Sequence, residues 1–231
     1  MGTDVRRGTS RFFTESSGIR TWHAFSFGAH YDPGNLGFGP LTCHDDHALE
    51  PGAGFTDHRH ADVEIVTWVV SGELVHDGVS RLGPGQVAVQ SAGSGITHRE
   101  VAGPEGCRFV QAWLRPDAAG GTPERGVADV SVEPGSLVPL VGPDGPLPVA
   151  VAGASLGVVR LLPDGTLSLP AAPLAHVHVV TGSVTASGAE LGAGDALRAT
   201  GEPDLTLAAR EETEVLVWRF ASGKDPDRLR G

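Results

Sequence analysis

The feature that most constrains this chain is an internal repeat punctuated by glycine. The segment WVVSGELVHDGVSRLGPGQV (68–87) lines up with HVVTGSVTASGAELGAGDA (178–196). Each reads as a strand, a Ser/Thr-Gly turn, a second strand, a glycine-containing turn and a Gly-x-Gly corner. Gly72 aligns with Gly182, Gly78 with Gly188 and, after a one-residue deletion, Gly85 with Gly194. Matched glycines imply matched tight turns, because a positive φ is costly for other residues. Such a repeat predicts two related β-barrels in tandem. Composition agrees: 33 Gly and 17 Pro interrupt β-branched runs, and no sustained 3.6-residue periodicity appears. The fold class expected is all-β.

Residues 1 to about 50 read as irregular, apart from the alternating TWHAFSFG (21–28). Residues 62–76 and 81–90 read as strands joined by the turn HDG, and CRFVQAWLRP (107–116) as another, stopped by Pro116. Residues 116–149 form a Pro/Gly-rich connector with short extended pieces. Short β runs resume near 150 and continue to EVLVWRF (214–220), and the tail ASGKDPDRLRG reads as mobile. The division expected is a first barrel over 1–115 that carries the chemistry, a connector over 116–149, and a second barrel over 150–231 without metal ligands.

The net charge of −11 argues against nucleic acid and against an anionic membrane surface. No segment approaches the roughly 18 apolar residues of a spanning helix. MGTDVRRGTSRFF lacks the apolar stretch of a secretory signal, and Arg6 spoils any myristoylation signal. Cys43 and Cys107 make no disulfide framework, so reduced thiols and a cytoplasmic protein are expected. Two barrels can bury a core without a second subunit, and a monomer is expected.

The chemistry concentrates in the first copy. Strand alternation puts His58 and His60 on one face, and in GSGITHRE it does the same for His98 and Glu100. A lone His-x-His on a strand is usually just solvated. Two such pairs on neighbouring strands can converge on one point. Three imidazoles and one carboxylate suit a divalent transition metal; two open octahedral positions suit Fe(II), with Mn, Co, Ni, Cu or Zn as competitors. Glu64, four residues after His60, would share its face in an unbulged strand, and spacing does not choose between Glu64 and Glu100. Transferring the ligand positions by the glycine matches lands on Ser168, Pro170, Leu207 and Ala209, a poor ligand set. His176 and His178 read as structural. His23, His30, His44, His47 and His76 read as solvated loop or turn residues, with His44 and His47 as candidates for a pocket mouth. Cys107 and Trp113 fit a strand core, and no cationic cluster activates Cys43.

Gly52, His58, His60 and Glu64, followed by Gly85 and His98, resemble the two-part cupin motif. HDDHALEPGAGFTDHRHADVEIVTWVVSGELVH and GPGQVAVQSAGSGITHRE more closely resemble the pirin family, strongly over residues 25–115. That resemblance implies a bicupin of two jelly-roll barrels with one metal, usually iron, in the N-terminal barrel. It implies His58, His60, His98 and Glu100 as ligands and leaves Glu64 as a supporting or packing residue. Arg59 replaces the proline usual between the first two histidines and is expected to point away from the metal.

Some pirins resemble quercetinases, so the resemblance implies a dioxygenase cleaving flavonols such as quercetin with O2. A metal would acidify the 3-hydroxyl, and Glu100, loosely bound, would take its proton. A largely apolar pocket is expected, with Phe55, Ile96, Val89 and Trp68 flanking the ligands. The alternative from another class is a metal- or redox-responsive regulator that binds a protein partner. A bicupin whose metal is purely structural is the third reading.

Overall fold

The computed structural model describes residues 2–203 and 205–221. The tail beyond Ala221 lies outside the described residues. The chain divides into two compact units. The first is Phe12–Val130 with Val149–Val151; the remaining described residues form the second. Among the described residues there is no α-helix, and no helix is long and apolar enough to cross a membrane.

In chain order the strands are β1 (Gly2–Arg6), β2 (Phe12–Ser16), β3 (Ile19–His23), β4 (Leu41–Leu49), β5 (Gly54–His60), β6 (Glu64–His76), β7 (Ser80–Leu82), β8 (Gln86–Ser91), β9 (Ile96–Leu114) and β10 (Glu124–Asp129). They continue as β11 (Leu137–Val141), β12 (Ala154–Leu161), β13 (Thr166–Leu169), β14 (Leu174–Thr181), β15 (Ser183–Ala186), β16 (Ala189–Gly192), β17 (Ala196–Thr200), β18 (Leu205–Ala209) and β19 (Thr213–Phe220).

The two units share one wiring. In the first, the main sheet runs β10-β8-β6-β9-β4-β3-β2, with β5 added to β9 and β7 to β6. In the second, the sheets run β1-β17-β14-β19-β12-β11 and β13-β18-β15-β16. The long strands β6 and β9 do in one piece what β14/β15 and β18/β19 do in pairs. Register shifts at Val69/Ser71 and Gly72/Leu74 break the β6–β9 ladder. Beyond them the order β7-β6-β9-β5 matches β16-β15-β18-β13. Two jelly-roll barrels built on one plan make the bicupin that the glycine repeat predicts.

The repeated glycines hold repeated conformations. Gly72 and Gly182 have φ of 73° and 75°, Gly78 and Gly188 of 74° and 76°, Gly85 and Gly194 of 80° and 87°. Asp77-Gly78 and Ser187-Gly188 both carry positive φ at two successive residues, the signature of a type I′ hairpin turn. At Gly72 a Cβ would stand 2.1 Å from the Gly106 carbonyl oxygen, and at Gly182 one would stand 2.4 Å from that of Glu212. At both positions neighbouring strands approach where no side chain fits.

The structure redraws the expected boundaries. The first fifty residues hold four strands rather than irregular chain, and β1 pairs with β17 of the second unit. The connector is divided too: β10 closes the edge of β8, whereas β11 pairs with β12. A short strand needs a sheet edge, and these edges lie far away in sequence. The second unit has a dry core of Val177, Val184, Leu191, Leu197, Leu207 and their neighbours. In the first, Val69, Leu74, Leu82 and Phe109 pack a smaller apolar region.

The two glycine environments separate backbone strain from steric clash. Gly72→Ala should lower the unfolding free energy by about 3 kcal/mol or more, since a rigid carbonyl blocks the Cβ. Gly188→Ala, with nothing within 4 Å, should cost only the positive-φ penalty of roughly 1–2 kcal/mol. Urea denaturation of the two variants checks this ranking.

Candidate metal centre

β5 lies antiparallel on the first half of β9 and sets His58 opposite His98. The register shifts between Phe55, opposite Glu100, and His58, so one extra residue bulges from β5. Gly54 permits the approach, because a Cβ there would meet the Glu100 carbonyl oxygen at 2.2 Å. Past the bulge, alternation turns His58 and His60 inward and leaves Arg59 exposed. On β9, His98 and Glu100 are buried while Thr97 and Arg99 are exposed.

His58, His60 and His98 form a group whose ligand atoms lie within 4.8 Å of one another. Their ring centroids are 4.4–5.0 Å apart. The hydrogen bonds select the free nitrogen of each ring. His58 Nδ1–H donates to the Thr56 carbonyl at 2.7 Å, which frees Nε2. The buried Nε2 atoms of His60 and His98 have no hydrogen-bond partner. Burial, reinforced by the neighbouring His58, lowers the pKa of His60 to about 4 and that of His98 to about 3. Neutral imidazoles with unpartnered nitrogens facing one point are what a transition metal requires. The residues present fit such an ion.

Glu100 belongs to a second group, with His76 and His98. Gln111 Nε2 donates to both Glu100 carboxylate oxygens, at 3.1 and 3.2 Å, and Gln111 Oε1 accepts from Trp113 Nε1 at 3.0 Å. Burial raises the Glu100 pKa, with the Gln111 hydrogen bond opposing. Glu64 is elsewhere. Its Oε2 accepts from Ser91 Oγ and the Ala150 N–H, and the positive φ of Asp62 separates β5 from β6.

His76 is a correction to the sequence reading. It is buried, and its Nε2 lies 2.7 Å from His98 Nδ1. With His98 Nε2 facing the cluster, His98 Nδ1–H donates to His76, whose own Nδ1–H faces Asp77 Oδ2 at 3.2 Å. An Asp77–His76–His98 chain thus fixes the ring and tautomer of His98. His23, His44 and His47 are also buried, on β3 and β4, rather than solvated. The pairing of these strands is long-range, and no local pattern announces it. Only His30 sits in a turn region, half-buried.

A cavity of about 660 Å³ opens beside the cluster, lined among others by His58, Glu100, Phe55, Trp113, Phe27 and Ile19. Phe55 lines it as expected, but Ile96, Val89 and Trp68 do not. Its wall also carries polar side chains, among them His23, Asp45, His47 and Thr21. Cys43 lines it as well, its thiol pKa raised by burial and by Asp45, which makes it a poor nucleophile.

In the second unit, strand pairing corrects the expected equivalences. Ala186 pairs with Leu207 as His76 pairs with Glu100. Leu167 pairs with Leu207 and Leu169 with Leu205, as Phe55 pairs with Glu100 and His58 with His98. The counterparts of His58, His98 and Glu100 are therefore Leu169, Leu205 and Leu207, which offer no ligand atom. The counterpart of His58 moves from Ser168 to Leu169, that of His98 from Leu207 to Leu205 and that of Glu100 from Ala209 to Leu207, because the copies differ in length by more than the single deletion that the glycines reveal. His176 and His178 are buried on β14.

Two barrels on one plan, one with a histidine cluster open to a cavity, define a bicupin with a candidate metal centre. Comparison with known proteins narrows the class. Residues 5–114 match the pirin family model, and residues 152–218 match that of the quercetinase C-terminal cupin domain. A Mycobacterium tuberculosis protein whose name assigns it provisionally to the quercetin 2,3-dioxygenases is 40% identical over 230 residues, covering 94% of each chain. A quercetin 2,3-dioxygenase from Escherichia coli K12 is 30% identical over 224 residues, covering 93% of this chain and 96% of its own. The crystal structure of the bacterial pirin YhhW from Escherichia coli in complex with nickel(II) superposes with a TM-score of 0.88 at 29% identity, covering 95% of this chain and 99% of that one. The chain belongs to the pirin family.

Two outcomes follow from the buried histidines. His76→Phe should keep every proposed ligand yet weaken metal affinity about 10- to 100-fold, as chelator competition would show. His47 is buried with its pKa lowered from 6.5 to about 4, mainly by burial. Its contribution to stability is complete above about pH 6.5 and is lost as pH falls toward 4, because the unfolded chain binds the proton first. Denaturant titrations of metal-free protein across that window should show a shallower loss in His47→Gln than in the unsubstituted chain.

Proposed function

We propose that this pirin is a metal-dependent dioxygenase of the quercetinase type, acting on a flavonol-like aromatic compound with O2. The observation that carries the reading is the group of three imidazoles, two of them, His60 and His98, with buried unpartnered Nε2 atoms and the third, His58, on the wall of a mostly carbon-lined cavity. We assign His58, His60 and His98 as the principal ligands of one divalent ion, with Glu100 as a loose fourth. Iron is the ion favoured by the ligand set, and the nickel(II) complex of the Escherichia coli relative supports a site of broad metal acceptance. When bound, such an ion supplies Lewis acidity and open coordination positions for a substrate oxygen.

The chain's own residues do the rest. Phe55 and Trp113 offer the walls against which a flat aromatic system can lie. Glu100 lines the cavity beside His58, where it can accept the proton of the substrate 3-hydroxyl. Gln111 holds that carboxylate and is itself held by Trp113. His76 keeps His98 turned inward.

The test is anaerobic loading with Fe(II), followed by addition of oxygenated flavonol and measurement of carbon monoxide and ring-opened product. His58→Ala should lose both bound metal and turnover. Glu100→Gln should keep most of its metal on the three imidazoles while turnover falls about 100-fold or more. A fully metallated protein without turnover on any flavonol would refute the proposal.

A further inference from the structure

The cavity has a second polar feature, separate from both histidine groups. Asp45, on β4, is 2% exposed and lines the cavity. Its Oδ2 accepts from His23 Nδ1–H at 2.6 Å, whereas its Oδ1 is buried with no hydrogen-bond partner. The Cys43 thiol hydrogen-bonds the Asp45 carboxylate, and a thiol is a weak donor. A buried carboxylate oxygen without a strong donor is costly, and folded proteins rarely retain one without a use.

The pair is rigidly held. His23 Nε2 lies 3.0 Å from the Thr14 hydroxyl, within hydrogen-bond distance. Thr14 Oγ1 also lies 3.1 Å from His30 Nε2. Phe27 stacks on His23 at 5.3 Å and 13°. The contacts His30–Thr14–His23–Asp45 hold the carboxylate in place, and one of its oxygens, on a residue that lines the cavity, is left without a partner. Trp113 and Phe27, which meet edge to face at 5.3 Å, line the same space.

We propose that Asp45, positioned by His23, recognises a second hydroxyl group of the substrate, one that the metal cluster does not engage, by accepting its hydrogen bond at Oδ1. The substrate class is thereby narrowed to aromatic compounds with at least two hydroxyl groups, one for each end of the site. This deepens the flavonol reading above and rests on it. A hydrogen bond from a phenol to a buried carboxylate should give a preference of about tenfold to a hundredfold over a ligand lacking it.

The experiment uses Fe(II)-loaded protein kept anaerobic, with binding of three probes followed by calorimetry or fluorescence. The probes are quercetin, quercetin ethers methylated on hydroxyls other than the 3-hydroxyl, and 3-hydroxyflavone. The unsubstituted protein should bind quercetin at least tenfold more tightly than 3-hydroxyflavone and than at least one of the ethers. Asp45→Asn, which keeps an acceptor for His23 but turns an N–H2 toward the ligand, should erase that preference while elemental analysis shows the metal retained. Should Asp45→Asn not fold, the ether series on the unsubstituted protein decides alone. Equal affinity for all three probes, or a preference that survives in metallated Asp45→Asn, overturns the inference and leaves the flavonol reading intact. Failure of the metallated protein to bind any of the three overturns both.

Discussion

The site depends on one pairing, the seating of β5 on the first half of β9. His58 faces His98 across it, and the bulge after Phe55 gives β5 the face that turns both its histidines inward. A strand has a side-chain period of two, so a slip of one residue would send His58 and His60 to solvent and Asp57 and Arg59 inward. The bulge and the absence of a Cβ at Gly54 prevent that slip. β9 then carries the burden on the other side. Its first half bears His98 and Glu100, and its second half bears Gln111 and Trp113, which hold Glu100 in place.

Burying so many polar groups in one barrel is unfavourable unless they satisfy one another. Most of them do. His47 meets Thr21 at 2.8 Å, His23 meets Asp45, His76 meets His98, and Arg108 forms a two-pronged pair with Asp46. Against that background the unpaired atoms are informative. His60 Nε2 and His98 Nε2 face the candidate metal position, and Asp45 Oδ1 belongs to a residue on the cavity wall. With Arg125 Nη2, they are among the places where the interior of this unit is incomplete by itself.

The skeleton was legible in the sequence because turn chemistry is local. Glycines 72, 78 and 85 and their counterparts needed no tertiary information to be matched, and their φ values agree within 7°. The His-x-His and His-x-Glu pairs were legible for the same reason, since strand alternation is local. What local pattern could not supply was partnership. His76 adjoins an Asp-Gly turn and reads as a turn residue, yet its contact is with His98, 22 residues away. Asp45 and His47 break the apolar alternation that marks a buried strand, so β4 looked irregular, whereas the alternating residues 21–23 of β3 were legible. His23, Asp45 and His47 are buried because this barrel is hollow and polar inside. Likewise β1 and β10 are short strands whose only signal is the sheet edge they complete, and the chain reaches those edges only after folding.

The two units show how a fold and a site can be specified separately. The hairpin glycines and the strand order recur in both, while the positions that would hold a metal are His58, His98 and Glu100 in one and Leu169, Leu205 and Leu207 in the other. The leucines join a continuous apolar core that needs no ligand. The imidazoles instead leave nitrogen atoms unsatisfied beside a cavity, a state that binding can relieve. Since the turns and ladders do not depend on these interior positions, one copy can keep a dry core while the other exchanges apolar contact for chemistry. The metal-free first unit is then the one with stability to gain from a ligand, and the second, whose corresponding positions are leucines, has no comparable gain to make.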